Sequence, residues 1–146
     1  MVVKDSSIKF STKGKTDIVD ITGRLREIVR ASSASNGLVN VFVPGATGAV
    51  TAIECESGLL DDFKDFLERV APSGADYKHN LSHADRNGHS HVRASLLGPS
   101  LSIPVRKGEP VLGLWQQVVF IELDNRPRQR SVMVTVIGYG KTSNSA

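Results

Sequence analysis

Short stretches in which apolar and polar residues alternate open the chain. Ile8-Lys9-Phe10 reads as a strand, and Asp17-Ile18-Val19-Asp20-Ile21 as a second one after a turn around Gly14. Thr22 is placed to cap a helix that carries Leu25, Ile28 and Val29 on one face. Leu38-Val-Asn-Val-Phe-Val43 is a β-rich run ended by Pro44-Gly45, and Val50 to Ile53 is a further strand leading to Glu54. Ser57 then caps the clearest helix, in which Leu59, Phe63, Phe66, Leu67 and Val70 recur at helical spacing until Pro72 stops it. Asp61 and Asp62 in its first turn suit the positive end of the helix dipole.

Beyond the loop at Pro72 to Ala75, the pattern predicts strands over Val92 to Leu97, Leu101 to Val105, Trp115 to Leu123 and Arg130 to Tyr139. Lys107-Gly108 and Asp124-Asn125-Arg126-Pro127 supply the turns. Strands dominate, with two helices inserted early. This pattern predicts an α+β fold: a mostly antiparallel sheet or sandwich with two helices packed on one side. Residues 1–140 are expected to form one domain, and the polar tail from Lys141 to Ala146 to be disordered.

Composition narrows the class. At 146 residues, with 40% hydrophobic and 23% charged residues, the chain suits one globular domain with a substantial core. The single cysteine, Cys55, excludes an internal disulfide framework and a cysteine-rich zinc site. It reads as a small buried group at a strand end. The net charge of +3 is mild, and the basic residues are scattered except at Arg126-Pro-Arg128-Gln-Arg130. Few aromatics accompany them, so nucleic acid is disfavoured as a partner and a small phosphorylated molecule is favoured. No apolar run is long enough to span a membrane and no signal peptide is recognised, which points to the cytoplasm.

Chemistry concentrates in one window. All four histidines lie in His79-Asn-Leu-Ser-His83-Ala-Asp-Arg-Asn-Gly-His89-Ser-His91. If Gly88 to Ala94 is a strand, His89 and His91 point to one side of the sheet, because side chains alternate with period two. His79 or His83 from the preceding loop would add a third nitrogen, leaving a position open for water or substrate. Imidazole ligands favour zinc, whereas magnesium prefers oxygen. Glu54 is a candidate base or carboxylate that orients a ligating histidine, and Gln116 a candidate group orienting a polar substrate. Trp115 and Glu122 stand nearby in sequence, Trp115 reading as a core or interface aromatic and Glu122 as a solvated strand residue.

Several segments carry a family resemblance. Val41-Phe-Val-Pro-Gly-Ala-Thr-Gly-Ala-Val-Thr-Ala-Ile-Glu54, His91-Val-Arg-Ala-Ser-Leu-Leu-Gly-Pro-Ser100, Ile103-Pro-Val and Leu112-Gly-Leu-Trp-Gln116 resemble the YjbQ family, also called the secondary thiamine-phosphate synthase family. The resemblance runs from about Phe10 to Gly138. It implies a compact α+β fold, a homotrimer with sites near subunit boundaries, and a site around His79 and His91 with Glu54, Asp62 and Trp115-Gln116 nearby. His89 is implied as an additional metal ligand. It also implies a weak activity joining a pyrimidine diphosphate to a thiazole phosphate. Where commoner bacterial relatives carry His-Thr-Ser-Ala, this chain has Gly45-Ala46-Thr47-Gly48, so a histidine is missing and Thr47 alone matches the hydroxyl.

Two functions compete. In the first, a divalent ion held by His79, His89 and His91 assists an enzyme acting on a small phosphorylated or heterocyclic substrate, by transfer or hydrolysis. Glu54 and Gln116 are then catalytic, and Thr47, Arg93, Trp115 and Arg130 bind substrate. In the second, the histidines hold a structural metal or order a subunit junction in a non-catalytic assembly protein, with His83 or Asp85 as a fourth ligand.

Overall fold

A computed structural model of the chain describes residues 1–140. The polar tail, and the expectation attached to it, lies outside the described residues.

Eight strands and three α-helices follow one another as β1 (Val2–Ser11), β2 (Asp17–Asp20), α1 (Thr22–Ala31), β3 (Asn36–Phe42), β4 (Gly48–Ile53), α2 (Ser57–Val70), α3 (Gly88–Leu97), β5 (Ser100–Arg106), β6 (Glu109–Pro110), β7 (Gln117–Glu122) and β8 (Gln129–Tyr139). A short 3-10 turn, Lys78–Leu81, precedes α3. Five strands form one sheet in the order β1-β8-β3-β5-β6, and three form another in the order β2-β7-β4. Every pairing is antiparallel. The fold is α+β, with the two sheets face to face.

Alternation in β8 sets the first core. Val132, Val134 and Val136 point inward and are fully buried, while Met133 and Ile137 point outward and stay half-exposed. Burying each of those valines contributes about 1.5–3 kcal/mol. They meet Val39 and Val41 of β3, Leu25 and Val29 of α1, and Val118 and Phe120 of β7. The other side of β7, Val119 and Ile121, packs with Ala49, Leu67 and Ala94 in a second core under α2 and α3. The small sheet is therefore covered on both faces, which is why β7 reads as an uninterrupted apolar run from Val118 to Ile121. The longest pairing joins β1 to β8, from Val2 opposite Gly138 to Ser11 opposite Gln129.

Five local expectations change. A third helix exists, and α1 belongs to the core between the sheets rather than to the side covered by α2 and α3. Residues 92–97, expected as a strand, form the second half of α3. Ala94, Leu96 and Leu97 favour a helix, and Gly98, at φ +93°, ends it by donating its N–H to the Ala94 carbonyl. Glu56, not Ser57, caps α2: its carboxylate accepts the N–H groups of Gly58 and Leu59, both at 2.8 Å, and these bonds hold its pKa below the usual carboxylate range. Thr22 is the first helical residue of α1 and accepts the Val118 N–H through its hydroxyl. Cys55, expected buried, is exposed just beyond β4.

Candidate functional site

Gly48 of β4 lies opposite Glu122 of β7, and at this end of the small sheet a polar cluster is built into the protein. Glu122 and Asp124 are two residues apart and share a face. Both are buried, Glu122 completely. The Glu122 carboxylate takes the Arg130 guanidinium in a two-pronged grip, Nε to Oε2 at 2.7 Å and Nη2 to Oε1 at 2.5 Å. It also accepts the Thr12 hydroxyl at 2.8 Å and the Asp124 N–H at 3.0 Å. The expected solvated Glu122 is thus a buried ion-pair anchor. The strand cannot place it elsewhere, because Val119 and Ile121 already fill the opposite face.

Asp124 repeats the arrangement with Arg128, whose Nε donates to Oδ2 at 2.8 Å. The Asn87 amide and the Asn125 N–H complete its shell at 3.2 and 2.8 Å. Burial pushes the Asp124 carboxyl up, but Arg128, Asn125 and Asn87 together outweigh it and hold the pKa below the usual range. Arg130 also donates to the Thr47 hydroxyl at 2.9 Å and so ties down the turn after β3. Both guanidiniums keep Nη1 without a hydrogen-bond partner among the described residues.

Three imidazoles stand over these arginines. His79 from the 3-10 turn stacks on His83 with ring centroids 4.1 Å apart and planes 10° apart, and tilts against His91 of α3 at 4.6 Å and 41°. His83 Nδ1 lies 3.0 Å from the Ser82 hydroxyl and 3.2 Å from the His79 carbonyl. His79 Nδ1 is buried without a partner. Together with Gly45, Ala46 and Thr47, the imidazoles and guanidiniums line an open cleft of about 440 Å³.

His89 does not join them. Two residues along an α-helix turn the side chain by about 200°, so His89 and His91 leave α3 on opposite sides, and His89 lines a different cavity. The period-two argument from the sequence fails with the strand on which it rested. Arg93 also faces that other cavity, buried, donating to Glu68 Oε1 at 2.7 Å and to the Ala71 carbonyl at 2.9 Å. Glu54 and Gln116 sit at the far end of the small sheet, where Ile53 pairs with Gln117. The β4 strand separates them from the cleft by roughly 17 Å. Trp115 is two-thirds exposed in the turn before β7, and Asp62 is exposed on α2. Of the candidate site residues, the fold brings His79, His91, Thr47 and Arg130 together. It adds His83, Arg128, Glu122, Asp124 and Asn87. The signal for the acidic and basic pairs was their period-two spacing, 122/124 and 128/130, on the last two strands and their loop.

The expected zinc set does not fit this arrangement. His89 is on the wrong side of α3, and His79 and His83 are stacked. A ligating nitrogen directs its lone pair within its ring plane, and two parallel planes share no point where one ion could sit. Among the described residues no group of three or more His, Cys, Asp or Glu side chains is arranged to hold a metal ion.

The family model described as UPF0047 protein YjbQ-like matches residues 6–139. The chain belongs to this family. A UPF0047 protein of Methanothermobacter thermautotrophicus is 39% identical over 138 residues, covering 94% of each chain. One from Archaeoglobus fulgidus is 38% identical over 130 residues, 89% of this chain and 98% of the relative. Among solved structures, a YbjQ-like protein of unknown function from Sulfolobus solfataricus superimposes with a TM-score of 0.89 at 35% identity, covering 94% of this chain and 98% of its own. A hypothetical protein from Aeropyrum pernix gives 0.86 at 34% identity, covering 93% and 99%. The YjbQ-like family thus extends over nearly the whole domain, cleft included. No helix among the described residues is long and apolar enough to cross a membrane.

Proposed function

We propose that this YjbQ-like protein is an enzyme acting on a small phosphorylated substrate at the histidine–arginine cleft. The observation that carries this reading is the convergence of His79, His83 and His91 on two guanidiniums whose orientation is fixed by buried carboxylates. Arg128 and Arg130 spend part of their donor set on Asp124 and Glu122 and present the remainder to the cleft, a geometry that suits phosphate oxygens. His79 and His91 stand where a proton could be given to or taken from the bound group.

The reaction attributed to the resembled family is one candidate. Joining a pyrimidine diphosphate to a thiazole phosphate forms a carbon–nitrogen bond and releases pyrophosphate. The two arginines would hold the departing diphosphate and an imidazole would protonate it. Hydrolysis of a phosphorylated heterocycle would use the same groups, with an imidazole taking the proton of the attacking water. No step requires Glu54 or Gln116 of the same chain.

A homotrimer is part of this proposal. The outer face of the five-stranded sheet exposes Val3, Leu38, Phe42, Met133 and Ile137, apolar surface that a second copy would cover. Association would also give the exposed Trp115-Gln116 turn a neighbour. The function is tested by calorimetric titration of the full chain with pyrophosphate, alongside His91→Ala and a turnover assay on pyrimidine diphosphate plus thiazole phosphate. Saturable pyrophosphate binding in the wild type, with turnover abolished in His91→Ala, supports the reading. Absence of binding in the wild type rejects it. Sedimentation velocity reports the trimer separately.

A further inference from the structure

A second cavity, about 480 Å³, lies on the other side of α3 from the histidine–arginine cleft. Its lining includes two side chains with ring or guanidinium nitrogens that are more than nine-tenths buried, Arg93 and His89. His89 Nδ1 has no hydrogen-bond partner, and its other ring nitrogen has only a 3.5 Å contact with the Ser90 hydroxyl. The unmet Nδ1 is itself sealed from solvent, so it is the rest of the buried His89 ring that walls the cavity.

The charges around this cavity do not cancel. Its one carboxylate, Glu68, is already committed: one oxygen takes Arg93 at 2.7 Å, and the other takes the Ser73 N–H and hydroxyl at 3.0 and 3.2 Å. Arg93 and Glu68 therefore neutralise each other. Lys15 and Arg86 remain on the rim without an ion-pair partner among the described residues. Both are held in left-handed backbone, φ +53° and +51°, and the Lys15 N–H is fixed to the Asp124 carbonyl at 2.9 Å. Two uncompensated cations beside an already neutralised acid, over a wall formed by the buried His89 ring, define a site for an anion.

We propose that this cavity binds a phosphate-bearing small molecule, with its phosphate between Lys15 and Arg86 and its remainder against His89. Two cations match the charge of about −1.5 to −2 that a phosphate monoester carries at neutral pH. The cavity is larger than a bare phosphate needs and falls in the range of small-molecule sites. The site is separate from the proposed reaction cleft, and shares no lining residue with it. His89, set aside by the cleft, acquires a role as a ligand-binding group.

The test is a titration of the full-length protein with inorganic phosphate at constant ionic strength, followed by 1H–15N NMR. Saturable shifts are expected at the amides of Lys15, Thr16, Ser73 and Arg86, with affinity about tenfold weaker in Lys15→Gln and in Arg86→Gln, the loss of one charge-assisted contact. Both substituted side chains are at the surface, so the fold is retained. Shifts confined to Gly45, Ala46, Thr47 and the His79–His91 cleft would overturn the second site while leaving the proposed function standing. Shifts that grow linearly with phosphate and are equal in the variants would overturn it as well. Saturation at the second site alone would support this inference and count against the first cleft.

Discussion

Replacing Glu122 by glutamine isolates the energetics on which the cleft depends. The side chain is fully buried and serves four donors: two from Arg130, one from Thr12 and one from the backbone of Asp124. Glutamine keeps the shape but removes the charge, and turns one acceptor oxygen into a donor that faces another donor. Arg130, only 12% exposed at its side chain, is left without its counter-charge. Breaking one side of a buried pair costs about 3–5 kcal/mol. For a domain of this size each kcal/mol lowers Tm by about 2–4 °C, so Glu122→Gln should melt roughly 6–20 °C below wild type. The control is Glu122→Leu combined with Arg130→Met, which removes both charges. Such replacements by apolar groups of similar volume are often close to neutral, so most of the lost stability should return. Urea unfolding monitored by circular dichroism gives both values from Cm at constant m. If Glu122→Gln loses less than about 1 kcal/mol, the pair is not an anchor. If the double variant is no better than the single one, the loss comes from packing and not from charge.

Other consequences are simpler to check. In Gly48→Ala the added methyl would meet the Phe120 ring at 2.6 Å, and that ring is fixed edge-on against Phe10 in the core, so destabilisation of about 1–3 kcal/mol is expected by denaturant melts. Glu68 has its pKa lowered from 4.5 to about 2, chiefly by the hydrogen bond from Arg93 and then by the Ser73 N–H. A carboxyl depressed in the folded state contributes stability above its unfolded pKa and loses it as pH falls through the folded one. Thermal melts between pH 5 and pH 2 should therefore drop less steeply in Glu68→Gln than in wild type, and an equal slope would remove Glu68 from the acid response. Elemental mass spectrometry of untagged protein should find well below one zinc per chain; stoichiometric zinc lost in both His79→Ala and His91→Ala would show that the imidazoles rearrange to ligate.

The sheets were legible because β8, β3 and β7 declare themselves by alternation or by a continuous apolar run, and tertiary packing agrees with both. The α3 segment was not. Val92 and the His-x-His alternation match a strand template, but Ala94, Leu96, Leu97 and the terminating Gly98 match a helix, and the small sheet has no room for another strand where α3 covers it. That single error in period moved His89 from one side of the chemistry to the other. Conversely, His79, Thr47 and Arg130 lie on a turn, a loop and a strand end whose meeting does not depend on the period of the α3 segment, and His91 joins them from the first turn of α3. Glu122 was read as solvated and Asp124 as a turn residue because a carboxylate looks the same in sequence whether it faces water or a guanidinium. Only the partner, Arg130, eight residues away across the turn, decides which.

The long pairing of β1 with β8 has a consequence for the order in which the molecule can be assembled. Of the described strands the one made first, β1, waits for the one made last, β8, since Ser7 stands opposite Met133 and Ile8 opposite Val132. Until then β1 has no neighbour in its sheet, for among the described residues β8 is the only strand it joins. Closing so long a loop is slow, and a bare strand is a template for pairing with the wrong chain. Lys4, Asp5 and Lys9 on β1 place charges along that waiting edge, which disfavours such mispairing. The five-stranded sheet, which carries most of the first core, is therefore completed only once β8 has been made.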